Sequence, residues 1–290
     1  MTYPKVTATK DSPLKIDGLI TNSRFSQVII DDEGYIEIEA DGKIIIDELV
    51  IKSVSNPTIS FVGVDYMPYP DGGQGGDGWE GYPGLVGQCL SAAISGGEGS
   101  NGATAGNAGC GFIGRSGYNG GNAPDIAITL TKITDANLIG FSIQSQGGKG
   151  SDGSKGGEGG TGGVGGAGGD RHTCCSQHCK PGLGGNGGNG GNGANGGKGG
   201  NGGNGGTVTV NIPADYTGNI ISDAKPSIGG KGGAGGGAGK GGAGGADGRR
   251  SDTDTVTVSS IPGMPGTNVG TNGTDGDPGT IGKIKIVKAQ

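Results

Sequence analysis

Apolar and polar residues alternate in short runs, and long stretches with few large side chains separate those runs. From Tyr35 the chain reads YIEIEADGKIIIDELVIKSV, with Ile36 and Ile38, then Ile44 and Ile46, at alternate positions. A period of two sends one set of side chains to a buried face and the other to water, so each run predicts a β-strand. Asp41-Gly42 between the two runs is a strong hairpin signal. Residues 26–30 and 58–64 predict further strands, so residues 1–70 are expected to form an N-terminal β module. The alternation returns in 124–146 and 207–228, each read as strand–turn–strand, and in 283–290, which holds KIKIVK. No segment carries the 3.6-residue period of a long amphipathic helix.

Between these units, glycine recurs at every third position, from Gly147 to Gly168 and again from Gly184 to Gly205. A strict period of three is that of an extended helix with three residues per turn. The two runs flank DRHTCCSQHCKPGL, so an arm out, a tip and an arm back are expected. The same plan, less regular, is read in 71–123 and in 229–282, which gives three Gly-rich hairpins, 71–123, 147–206 and 229–282, joined by β units 124–146, 207–228 and 283–290. The expected fold class is mainly β with polyglycine-II: short stacked β units alternating with three Gly-rich extended-helix hairpins and essentially no α-helix. Gly supplies 75 of 290 residues and Pro only 13, which excludes collagen. Extended helices make no internal hydrogen bonds, so such arms must bundle to satisfy their backbone groups.

These every-third-Gly arms resemble the polyglycine-II bundles of snow-flea antifreeze proteins, the Gly-rich domain of long-tailed phage receptor-binding adhesins and that of anaplastic lymphoma kinase. The resemblance implies an architecture. Ice, bacterial receptors and protein ligands are bound by these three groups, so it implies no single function.

The densest chemically capable cluster is HTCCSQHC: His172, Cys174, Cys175, His178 and Cys179. His and thiolate together suit zinc or copper, but the spacing departs from a paired C-x2-C knuckle. With Cys89 and Cys110 the count is five, so disulfides at the tips, a metal and free thiols stay open, and the odd cysteine is a candidate for a subunit junction. GAGKGG (237–242) has Gly241 where a phosphate loop needs Ser or Thr, and GGKGSD (147–152) lacks the apolar position of a calcium repeat. No catalytic constellation is read and no cofactor is expected. In the central hairpin the third position carries Lys149, Lys155, Glu158, Thr161, Val164 and Ala167 going out. Returning, it carries Asn186, Asn189, Asn192, Asn195, Lys198, Asn201 and Asn204. These point one way along an edge, and the Asn ladder is expected to meet a neighbouring subunit, a glycan or water. The strand Lys283, Ile284, Lys285, Ile286, Val287, Lys288 is a candidate edge for β-augmentation by the next subunit.

Net charge is −6 without a basic stripe, which argues against nucleic acid as a partner, and no stretch has the length of a membrane span. The start carries no apolar run of the Sec signal type, so an extracellular, virion-surface or cell-surface location is expected without such a signal. Two functions follow as expectations. One is a non-enzymatic structural protein that self-associates into a homo-oligomer or polymer as a filament, fibre or surface layer. The alternative is a phage tail-tip or cell-surface adhesin that meets a receptor or glycan through its hairpin tips.

Overall fold

In the computed structural model, residues 3–17, 22–31, 33–53, 55–83, 106–171, 181–249 and 257–289 are described. Their strands form three sheets. The first orders β1 (Lys5–Ala8), β4 (Gln27–Ile30), β7 (Leu49–Ile51) and β10 (Ile133–Asp135). The second orders β2 (Leu14–Ile16), β5 (Tyr35–Ile38), β8 (Thr58–Val62), β11 (Phe141–Gln146) and β13 (Ile220–Ala224). The third orders β3 (Asn22–Phe25), β6 (Gly42–Ile46), β9 (Ile126–Leu130), β12 (Thr207–Ile212) and β14 (Lys283–Lys288). Every pairing is parallel. The chain visits the three sheets in turn and comes back one rung further on, so it winds as a three-sided solenoid whose rungs each contact their neighbours.

Like stacks on like from rung to rung. Ile36, Ile59 and Ile143 are in register on the second sheet, and Ile44, Ile128, Val210 and Ile286 on the third. Ile36, Ile44, Ile59, Ile128 and Ile143 are almost fully buried. Burying each such side chain contributes about 1.5–3 kcal/mol. Among the described residues the first sheet has four strands where the others have five, and Tyr216 packs on the core there. It is 6% exposed, its ring lies 6.1 Å from that of Phe141, and its hydroxyl donates to Asp135 Oδ2 at 3.1 Å. Burial, and then the Asp135 charge, push the Tyr216 pKa well above the usual tyrosine value.

The expected fold class is corrected by these sheets. The regular structure is all β, in three parallel sheets with no helix among the described residues, and the described residues of the Gly-rich segments carry no regular secondary structure. Segments 124–146 and 207–228 are not strand–turn–strand units stacked beside polyglycine-II hairpins, because β9, β10 and β11 lie in three different sheets. Asp41-Gly42 is a corner rather than a hairpin turn: β5 pairs with β2 and β8, whereas β6 pairs with β3 and β9. The physical reason is that alternation defines an inward face without choosing the partner. In the next rung, Ile36, Ile38, Ile44 and Ile46 each find another apolar residue in register, which an antiparallel return within the same unit would not provide.

All three Gly-rich segments leave after a strand of the second sheet (β8, β11, β13) and return into the third (β9, β12, β14). They are insertions at a single corner of the solenoid.

Candidate functional site

Each insertion runs out and back as an antiparallel pair of extended arms. In the first, Gly106, Gly109 and Phe112 donate backbone N–H groups to Trp79, Gly76 and Gly73 at 2.7–3.0 Å. In the second, Gly185, Gly188 and Gly191 donate to Gly166, Gly163 and Gly160, and in the third Gly263 and Gly266 donate to Gly242 and Gly239. The pairs stack as layers. Gly72, Gly75, Gly78 and Gly81 of the first layer donate to Lys155, Glu158, Thr161 and Val164 of the second. Gly153, Gly156 and Gly159 of the second donate in turn to Lys231, Ala234 and Gly237 of the third. The arms therefore satisfy in each other the backbone groups that an extended chain leaves free.

Glycine is required by this closeness. A Cβ added at Gly188 would lie 1.9 Å from Gly106 O, and one at Gly200 would lie 1.8 Å from Tyr118 O. Where the third position is not Gly, its side chain often ties layers together. Asp65, Asp71 and Asp77 accept from the N–H of Lys149, Lys155 and Thr161 at 2.6–2.9 Å. Asn107, Asn119 and Asn122 accept from Asn189, Asn201 and Asn204 at 2.8–2.9 Å.

The Asn ladder faces this chain's own third layer. Oδ1 of Asn186, Asn189, Asn195, Asn201 and Asn204 accepts from the N–H of Ile261, Met264, Thr271, Asp277 and Thr280 at 2.8–3.0 Å. Asn192 accepts from two successive groups, Thr267 N–H at 2.9 Å and Asn268 N–H at 3.1 Å. It sits where the third-layer glycines step by four residues, Gly266 to Gly270, rather than by three. No local pattern reveals these partners, because donor and acceptor lie 75–82 residues apart. The one available signal is the repeat of Asn at matching places in successive segments.

The other sequence candidates fall as follows. The strand Lys283–Lys288 is the outer strand of the third sheet, paired only with β12. Cys110 is exposed with a free thiol. Cys89, His172, Cys174, Cys175, His178 and Cys179 lie outside the described residues. No helix among the described residues is long and apolar enough to cross a membrane.

The first layer carries a row of aromatic residues, of which Tyr69 is half-buried and the others are exposed. Tyr69 stacks on Tyr118 at 4.4 Å between centroids, Tyr66 approaches Tyr118 at 5.8 Å, and the Arg115 guanidinium lies 5.3 Å from the Tyr69 ring centre. Further out along the arms, Phe112, Trp79 and Tyr82 are 66%, 84% and 83% exposed. Residues 67–83 stand out in the sequence for their aromatic content, but Phe112 and Tyr118 join them only through the antiparallel return of the arm.

No family model matches this chain. No curated protein matches it either. Among solved structures, the chain has 22% identity to a springtail antifreeze protein from Granisotoma rainieri, described as a nine polyproline type II helical bundle. The match covers 77% of this chain and 94% of that one, with a TM-score of 0.10. A score of that size carries no structural argument.

The arms lead towards three segments, 84–105, 172–180 and 250–256, which lie outside the described residues. Their approaches share one end of the stack. Gly81 bonds to Val164, Gly168 to Ala246, Arg171 to Arg249, and Gly248 to Gly182.

Proposed function

We propose that the chain is a binding module that projects three tip segments from one end of a stiff stand, for contact with a cell-surface receptor. The observation that carries this reading is the common exit corner: three insertions leave the same edge of the solenoid, lie against one another, and approach their tips at the same end. A stand of this kind fixes where its arms end at little entropic cost on binding, since the supporting backbone is already ordered. Asp65, Asp71, Asp77 and the Asn ladder of the arms hold N–H groups between layers, which is a scaffolding use of polar chemistry. Such a module works at an extracellular or virion surface.

The test is saturable binding of the labelled full chain to a panel of whole bacterial and eukaryotic cells. Replacing 172–180 or 250–256 by a Gly-Asn-Gly repeat should reduce that binding at least tenfold while the unfolding transition stays in place. Undiminished binding after both replacements, or binding to no cell type, counts against the proposal.

A second reading, a self-associating filament subunit, is favoured by the terminal strands at the two ends of the solenoid, β13 and β14 at one and β1, β2 and β3 at the other. Lys283, Lys285 and Lys288 on the β14 edge weigh against it, because charged edge residues discourage strand addition. Regular filaments in negative-stain electron microscopy, lost when 283–289 are removed, would establish it.

A further inference from the structure

The outer face of the first layer is paved with glycines, and at Gly76 and Gly73 packing does not demand them. Within the layers an added Cβ collides with backbone at about 2 Å, but at Gly76 it meets nothing within 4 Å. At Gly73 its nearest neighbour is the Phe112 ring at 3.4 Å. At Gly106 and Gly109 the nearest atoms, Trp79 N and Gly76 N, lie at 3.0 and 3.2 Å. These four residues make a bare floor across two paired arms. Phe112 stands at one end of it beside Gly73, and Trp79 at the other end beside Gly106. Gly73 to Trp79 is six residues, about 20 Å of extended chain. Beyond Trp79 comes Tyr82, three residues on and therefore on the same side of the arm. Beyond Phe112 lies the Tyr69–Tyr118 stack braced by Arg115.

We propose that this strip is a binding face for a neutral polysaccharide lying along the arms. Sugar rings present C–H faces that pack flat on aromatic rings, and a floor without side chains lets the rings between those contacts lie close to the backbone. Their hydroxyls need acceptors at the rim. Among the described residues, Asp71 and Asp77 accept from the second layer through Oδ1, which leaves Oδ2 of each for this purpose, and Gln74 and Glu80 are exposed beside them. The same carboxylates repel an anionic polymer. A second copy of the chain fits this face poorly, because protein interfaces pack side chains into one another and the floor offers none to interlock with. The face lies on the shaft, so this inference stands apart from the tips and from any receptor they meet.

Trp79 is the chain's single tryptophan, so its fluorescence reports on the strip directly. The experiment is native gel electrophoresis of the full chain in gels containing hydroxyethyl cellulose, xyloglucan or galactomannan, with alginate as the anionic comparison, alongside Trp79 emission with the same polymers. Retardation by at least one neutral polymer, a blue shift of Trp79 emission and no effect of alginate are expected. Phe112→Ala and Gly76→Gln should each weaken both effects at least tenfold; the second adds a side chain where there is room, so the fold stays intact while the floor is blocked. The chain with its tips replaced should bind the polymer as well as the original. The proposal is overturned by lack of retardation in all three neutral polymers, or by retardation that both variants retain. It is equally overturned by a concentration-dependent Trp79 shift with dimer formation in sedimentation without polysaccharide, which would make a second copy the occupant.

Discussion

Substituting alanine for glycine at two positions of the arm stack should give effects of opposite sign. At Gly188 the new methyl group would lie 1.9 Å from Gly106 O, where ordinary contact begins at 3.4 Å. Relieving that overlap means opening the layers by roughly 1.5 Å, beyond what a good hydrogen bond tolerates. Three bonds meet at this point: Gly163 N–H to Gly106 O at 3.2 Å, Gly188 N–H to Gly163 O at 2.9 Å, and Gly242 N–H to Gly188 O at 2.8 Å. At about 1 kcal/mol net each, their loss destabilises the chain by about 3 kcal/mol. Gly237→Ala places its methyl in open space and removes freedom only from the unfolded chain, so it should stabilise by about 0.4–1 kcal/mol. Urea unfolding followed by circular dichroism and by Trp79 emission measures both. Equal shifts for the two variants, or a neutral Gly188→Ala, would refute the account of why the arms are glycine.

Three further outcomes are expected. Asn192→Ala should destabilise by about 1–2 kcal/mol through loss of the acceptor for Thr267 and Asn268, whereas Asn192→Asp, which keeps an acceptor, should stay near the original midpoint; equal losses would show that the amide N–H2 is what matters. Hydrogen bonds from Lys132, Gln27 and Thr134 hold the Glu48 carboxyl down at about 2. Because this value lies below the unfolded one near 4.5, the contribution is present above pH 4.5 and is lost as pH falls towards 2. The gap in urea midpoint between the original and Glu48→Gln should therefore close over that window, and a constant gap refutes it. Tyr216→Ala opens the uncovered end of the core and should cost about 3–5 kcal/mol, while Tyr216→Phe loses only the bond to Asp135 and should cost about 1 kcal/mol, both read from thermal unfolding.

Much of the local structure is legible in the chain, and the long-range partnerships are not. The alternation at Ile36, Ile38, Ile44 and Ile46 marks strands and their inward faces, and all four side chains are buried. It is equally compatible with an antiparallel hairpin and with a parallel coil. Asp41-Gly42 favours the hairpin locally, and stacking on Ile59, Phe61, Ile128 and Leu130 in the next rung decides otherwise. The spacing of glycines marks where chains approach closely, because that requirement falls on a residue's own Cβ. The acceptor role of Asn186 to Asn204 was hidden for a simpler reason: each partner is a backbone N–H, which every residue except proline possesses, so nothing in the composition of 261–280 announces it. Phe112 and Trp79 likewise share a face only once the arm has turned back on itself.

The step of four between Gly266 and Gly270, bridged by Asn192, bears on how such a molecule changes length. Bonds between neighbouring arms repeat every third residue, so an arm behaves like a rack engaged with racks on its flanks. Adding or deleting three residues shifts the teeth by one notch and leaves them meshed, whereas adding one throws every later tooth out of phase unless a local loop absorbs it. Residues 267–269 are such a slack link, tolerated because one carboxamide reaches both of the N–H groups it displaces. Related chains should therefore differ in arm length by multiples of three, in adjacent arms together. Single-residue insertions should be confined to the tips or to places where an Asn or Asp stands opposite.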